Sequence, residues 1–287
     1  MPDRHRRETA RSRVPPTLKT VKRIVHISDL HLGRNRQTDD RAALLALELL
    51  NPSIDCVIAT GNLTHHGRRS ELRLFEDLFA PLIRDRRLIA VPGDRDRLGD
   101  DLGWAIMPGP RVQVVSRAGL YLVRVNSTAA GPDAAAGLQS RDVHAIDAAL
   151  DAAPAGAVTV LALHHELAPS APRGAFGRLS GWVAPRATSG LERGPELMSR
   201  LDGRCDLVLH GNRRDPQGLR MGTAARPLSL FSAGSSTELG HVHVFTHDTE
   251  GTLRGGALWL DLRGLAALGG AGVPSAPSRS APSLMVA

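Results

Sequence analysis

The 287-residue chain predicts an α/β fold, on three observations. Short β-branched, apolar runs alternate with longer segments of helical composition, as crossover-connected parallel strands require. Each of the first three such runs, near residues 24–27, 55–60 and 88–91, ends in a polar turn. Those turns fall at the strands' carboxyl ends, where open α/β sheets place their ligands.

Ile24, Val25 and Ile27 open the first strand, with the β-branched side chains that strands favour. Asp29 and His31 follow two residues apart. If extended geometry persists to His31, both side chains leave one face. Asp39-Asp40 then precede an Ala/Leu/Glu-rich stretch over 42–50, read as a helix with acids in its first turn. Asn51-Pro52 stops it.

The second strand, 55–60, runs into Gly61-Asn62. Ser70 is placed to cap a second helix, with Leu72, Phe75, Leu78 and Phe79 on one face. Pro81 ends or kinks it. The third strand, 88–91, runs into Gly93-Asp94-Arg95-Asp96. Further strands are expected at 112–115, 120–125, 157–163, 205–209, 228–232, 241–246 and 252–260. Helices are expected at 139–150 and 191–201, with a Gly/Pro/Arg-rich loop over 168–190.

Hydrophobic residues make up 42% of the chain but aromatics only 3%, so the core must be aliphatic. The net charge of +7 is unevenly placed: residues 1–23 carry eight basic side chains against Asp3 and Glu8. The segment from Gly264 carries only Arg279, which leaves the middle near neutral. The charge therefore sits in an arm rather than on a folded face, so nucleic acid is not an expected partner except through that arm. Composition divides the chain into a disordered basic arm (1–22), one domain (23–263) and a disordered Gly/Ala/Pro/Ser tail (264–287). Cys56 and Cys205 read as buried, reduced thiols. No run approaches a membrane span and no secretory signal is visible, so a cytoplasmic protein is expected.

Taken together, the turn segments carry a resemblance. Asp29-Leu30-His31, Gly61-Asn62, Gly93-Asp94-Arg95-Asp96, His164-His165 and Gly211-Asn212-Arg213-Arg214 stand in the order D-x-H, G-D, G-N-H-D/E, H, G-H-x-H. Each follows a strand. The chain thus resembles the calcineurin-like metallophosphoesterases, especially their bacterial phosphodiesterase branch, from about residue 21 to 246. The resemblance implies a four-layer α/β/β/α sandwich of two mixed sheets. It also implies two divalent cations about 4 Å apart that clamp a phosphate and activate a hydroxide. In that family the D-x-H pair and the last His of G-H-x-H hold one metal. The Asn, the isolated His and the first His of G-H-x-H hold the other. The Asp of G-D bridges the two, and the His of G-N-H assists the leaving oxygen.

Carried over by position, the candidate ligands are Asp29, His31, Asn62, Asp94, His164 and Asn212. Most depart from the pattern. Asn62 is neutral where a bridging carboxylate belongs, and Asp94 replaces the Asn. Arg95 stands at the acid position, where a guanidinium cannot give up a proton near neutral pH. Asn212 and Arg214 replace the G-H-x-H pair, and Arg214 has no lone pair for a metal. Ligand counting leaves no cofactor, or one weakly bound Mn, Fe or Zn, where the family uses two.

Gly240-His241-Val242-His243 spells G-H-x-H literally. It comes too late in the motif order, so the two histidines are read as neighbours on one strand face. His65 and His66 read as exposed loop residues, with substitute ligands near Asn62 as the alternative.

The expected function is a metallophosphoesterase-family protein with its dinuclear site largely lost and its catalysis impaired or absent. One alternative is an active phosphodiesterase or phosphatase with a mononuclear or rearranged site. The other is a metal-free binder of a phosphate-bearing small molecule through Arg95 and Arg214. Charge counting favours internal neutralisation of those arginines, Arg214 by Asp29 and Arg95 by Asp94.

Overall fold

Strand β1 (Val21–Ile27) is buried on both faces over its second half. Val25 and Ile27 join the helix-facing core, whereas Ile24 packs toward a second sheet. Such two-sided burial is what a near-continuous apolar run is for. The computed structural model describes residues 20–128, 137–167, 191–212, 216–221 and 226–269, with the backbone of 285–286.

After β1 the chain forms α1 (Arg36–Glu48), β2 (Cys56–Thr60), α2 (Arg69–Leu78), α3 (Ala80–Arg84), β3 (Leu88–Val91) and α4 (Gly103–Ile106). It continues with β4 (Val112–Arg117), β5 (Leu120–Val125), α5 (Ser140–Asp151), β6 (Val158–Ala162), α6 (Gly194–Leu201) and β7 (Leu207–His210). Then come β8 (Gln217–Met221), β9 (Leu228–Ser232), α7 (Ser236–Leu239), β10 (His241–Asp248), β11 (Leu258–Asp261), α8 (Leu262–Ala266) and the short β12 (Met285–Val286).

Two mixed sheets result. The first has the order β11-β10-β1-β2-β3 and the second β12-β8-β9-β7-β6-β5-β4. Strands β1, β2 and β3 are mutually parallel, as are β5, β6, β7 and β9. One apolar cluster, including Ile24, Ile58, Val160 and Leu209, lies between the sheets. A second sits under α1, α2 and α8, and a third under α5 and α6. The layers are therefore helices, sheet, sheet, helices, the architecture the resemblance implies.

Several boundaries differ from expectation. Asp39 sits in the first turn of α1, but Asp40 lies beyond it, because the helix starts at Arg36, where Asn35 accepts from the Thr38 amide at 2.9 Å and caps it. Helix α2 ends before Pro81, as one of the two expectations had it; Pro81 lies in the first turn of a separate α3, where its missing N–H costs nothing. The expected strand 252–260 is interrupted before β11, Leu253 contributing only a bridge to His247. Strand β8 was not anticipated, nor was α7. Val21 and Lys22 belong to β1, and Lys22 pairs with Asp55 at 2.7 Å, so the folded unit begins inside the expected arm. At the other end, α8 continues past Gly264 and Leu265 is fully buried. The loop expected over 168–190 lies outside the described residues, as does most of the arm and tail.

Cys56 and Cys205 are buried free thiols, raised by burial to about 11 and about 12. Among the described residues no helix is long and apolar enough to cross a membrane.

Candidate functional site

The loops that follow β1, β2, β3, β6 and β7 meet at the carboxyl ends of the strands. Backbone pairing continues past β1 and β2: Asp29 N donates to Gly61 O, His31 N to Asn62 O, and Leu32 N to Leu63 O, each at 3.0 Å. The strand geometry does not persist, however. Asp29 and His31 have φ of 52° and 51°, in the left-handed region. Their side chains converge through that backbone reversal rather than by sharing a strand face. His31 Nε2 ends 3.7 Å from Asp29 Oδ1.

Among the described residues, six non-glycine residues have positive φ: Asp29, His31, Asn62, Asn212, Arg86 and Asp101. The first four are predicted ligands. Asn and Asp tolerate this region best, and backbone strain of this kind gathers at functional sites. The loops also approach closer than a side chain allows. A Cβ at Gly93 would lie 2.3 Å from Asn62 N and 2.9 Å from His164 Cε1. One at Gly211 would lie 2.1 Å from Ser28 Oγ. Glycine is what lets these loops nest.

Asp29 is buried and well supplied with donors. Asn62 Nδ2 donates to its Oδ1 at 2.8 Å, while Ser28 Oγ (2.8 Å) and Asn212 N (3.1 Å) donate to Oδ2. The opposite edge of the Asn62 amide is used too, Oδ1 accepting from Arg95 N at 2.9 Å. Burial lowers the His31 imidazole below its usual value, against the pull of Asp29 and with help from the Arg95 charge. His31 Nδ1 is buried without a partner.

His164 is fully buried. Its Nδ1 lies 2.7 Å from Thr60 O. A carbonyl only accepts, so Nδ1 carries the proton and Nε2 holds the lone pair of the neutral ring. That Nε2 is buried with no partner. Asp94 is exposed and does not pair with Arg95. Its carboxylate meets His165 Nε2 at 3.0 Å. Burial raises the Asp94 carboxyl, but the His165 hydrogen bond and charge outweigh it and leave it below the usual range. The Arg95 guanidinium pairs with no carboxylate among the described residues. Arg214 lies outside them, so its placement and its expected pairing with Asp29 are not described.

Sequence reasoning missed three contributors. His165 stands beside the residue chosen as ligand, and it is His165 that reaches Asp94. Ser127, in the loop after β5, lies 2.9 Å from His165 Nδ1 and accepts from the His164 amide at 3.2 Å. No motif flags it. Asp96 is fully buried. It accepts from Gly93 N, Thr64 N and Thr64 Oγ1 at 2.7–2.8 Å and so ties the β2 and β3 loops together. Burial pushes its carboxyl upward, against those hydrogen bonds.

The literal G-H-x-H lies elsewhere. His243 is buried between the sheets, its ring 6.1 Å from that of His26 and 4.5 Å from Trp259. His241 stacks on Trp259 at 5.4 Å, so the two histidines do share a face. His65 is half-buried rather than exposed, because its ring sits edge-on to His31 at 5.4 Å. His66 is exposed, and its Nδ1 meets Glu71 Oε1 at 2.8 Å. Among the described residues no group of three or more His, Cys, Asp or Glu side chains is arranged to hold a metal ion.

The sequence profile described as calcineurin-like phosphoesterase matches residues 22–211. No curated protein sequence matches the chain. Among solved structures, a dimetal phosphatase from Danio rerio is similar with a TM-score of 0.56 at 11% identity, over 84% of this chain and 99% of that one. The TT1561 protein of Thermus thermophilus has a TM-score of 0.53 at 13% identity, over 85% of this chain and 100% of that one. A purple acid phosphatase from yellow lupin (Lupinus luteus) seeds has a TM-score of 0.52 at 12% identity, over 93% of this chain and 58% of that one. At such identities these likenesses speak for the fold alone.

Proposed function

The chain belongs to the calcineurin-like phosphoesterase family, and from that premise we propose that it is a member whose paired-metal centre is no longer held, leaving a catalytically impaired or inactive phosphoesterase. The observation that carries this reading is the Asn62 amide. A bridging carboxylate would offer an oxygen to each of two cations. Asn62 instead spends its donor edge on Asp29 and its acceptor edge on Arg95 N. A carboxylate only accepts and a backbone N–H only donates, so these partners dictate the amide's orientation. The N–H it presents to Asp29 stands where a cation's ligand oxygen would have to be. Asp29 with His31, and His164 with Asp94, fall short of the three or four protein donors a transition-metal site needs. The residues present do not fit a pair of cations. Arg95, at the acid position, cannot protonate a leaving group.

One observation favours a second reading, a single cation on the β3–β6 side. A histidine whose Nδ1–H is held by a carbonyl and whose Nε2 lone pair is free is built as a metal ligand is, and His164 meets that description. Asp94, exposed on the β3 loop, would supply a carboxylate oxygen for Mn, Fe or Zn. In either reading the ligand class is a phosphate-bearing small molecule. The buried free thiols are in keeping with a reducing compartment, and we place the protein in the cytoplasm as part of the same proposal.

The test is hydrolysis of a bis-aryl phosphodiester with saturating Mn or Zn, a substrate whose activated leaving group makes little demand on an acid. Turnover should lie far below about 1 per second, the lower end of ordinary enzyme rates. A turnover at or above that value would overturn the impaired reading.

A further inference from the structure

At the other end of the strands, a cleft of about 490 Å³ opens beside the entries to β1, β2 and β5. The five residues of β2, Cys56–Thr60, separate it from the site loops by about 17 Å at the usual strand rise. Three cations line it: Lys22, Arg87 and Arg117. So do two acids, Asp55 and Asp85, and an apolar wall that includes Pro52, Ile54 and Leu120.

The acids are already committed. Lys22 Nζ pairs with Asp55 at 2.7 Å, and Arg84 Nε pairs with Asp85 at 3.2 Å. The two arginines are different. Some partly buried arginines elsewhere in the fold spend their charge on carboxylates, as Arg204 does on Asp147 and Arg226 on Asp206. Arg87 Nη2 instead donates to the backbone carbonyls of Leu49 at 3.2 Å, Asn51 at 2.8 Å and Ile54. Arg117 donates to the carbonyls of Asp55 at 3.2 Å and Arg86. Carbonyls orient a guanidinium without cancelling its charge. Arg117 therefore faces the cleft with N–H groups to spare, while Arg87, whose Nη1 also donates to Leu50 O at 3.5 Å and whose Nε is buried, adds its charge. Two positive charges match a dianion, and the guanidinium fork matches phosphate oxygens.

We propose that this cleft binds a small phosphomonoester, its phosphate held by Arg117 in the field of Arg87 and its apolar body lying against Pro52. The proposal does not depend on the state of the metal site, and its test keeps the two apart. The full chain is titrated calorimetrically with phenyl phosphate in the presence of a chelator, with benzoate as the monoanionic comparison. Phenyl phosphate should bind saturably, one per chain, and more tightly than benzoate. Arg117→Gln should weaken it about tenfold or more, the loss of a charge-assisted pair. Ala118 is exposed and lines the same cleft, so Ala118→Trp should block binding while leaving the melting temperature unchanged. Arg95→Ala should leave binding intact. The proposal is overturned if no saturable binding occurs. It is equally overturned if binding survives both Arg117→Gln and Ala118→Trp, or is lost in Arg95→Ala, which would put the anion in the family site.

Discussion

The loops after β1 and β2 and the loops after β3 and β6 meet in one cluster, yet they end with opposite needs. On the first side the Asp29 carboxylate is satisfied from within, by an amide, a hydroxyl and a backbone N–H. On the second side Asp94 is exposed with a histidine partner, and the buried Nε2 of His164 has none. On the proposed reading, the contrast is that of a metal position closed within an intact fold. One carboxylate-to-amide exchange supplies a donor in place of a cation, and the neighbouring anion is content. No such donor meets His164 Nε2 among the described residues.

Making the two sides alike should have the largest effect. Restoring Asn62→Asp, Asp94→Asn, Arg95→His, Asn212→His and Arg214→His together should raise metal content from at most one equivalent to two, read by elemental analysis. These positions act as a unit, so single reversions should recover little. Failure of the full set in a folded protein would count against the positional assignments.

Cutting the tie between the sides comes next. Asp96→Ala strands the donors of Gly93, Thr64 and Leu63 in a buried setting. It should cost about 3–4 kcal/mol in chemical denaturation. Asp96→Asn, which keeps the shape and one acceptor, should cost less.

Asn62→Asp alone sharpens the contrast further. Without metal it removes a donor to Asp29 and sets two carboxylates together, a loss of about 2 kcal/mol. Added Mn should return part of that loss, beyond any stabilisation that a single bound cation gives the parent protein.

The smallest effect per unit comes from histidines outside both sides. Burial, with the charges of His243 and His210, holds His26 well below the usual imidazole value, and burial with His210 brings His243 to about 3. The unfolded chain takes up these protons below about pH 6.5, while folded His243 refuses its own until about 3. Stability is therefore fully present above that window and falls as pH drops through it, by about 1.4 kcal/mol per pH unit for each histidine. His243→Leu should make the pH dependence shallower. An unchanged slope in urea titrations would contradict this assignment.

Much of the fold was legible because strand, turn and motif repeat in a fixed order. Residues 88–91, 120–125 and 228–232 became strands with the expected bounds, since their apolar runs end in clear turn signals. Strand β8 (QGLRM) escaped because it is short and carries a glycine, without alternation. Helix α7 has four residues, too few to display a 3.6-residue period. In the site, residue types were legible but backbone was not. D-x-H reads as a strand continuing, and only the observed φ of Asp29 and His31 reveals the reversal. Asp94 could not be assigned its partner from sequence either. His165 wins over Arg95 because its ring is fixed by Ser127 within reach of the carboxylate. That fixing group lies in the loop after β5, where no motif points. The late G-H-x-H shows the converse: matching letters on β10 bury a histidine between the sheets.

The most direct test of the account is a Mn titration of the full-length chain by calorimetry, repeated on His164→Ala and His31→Ala. The account predicts at most one equivalent, abolished in His164→Ala and retained in His31→Ala. Two equivalents in the parent protein, or one that is lost in His31→Ala and kept in His164→Ala, would contradict it.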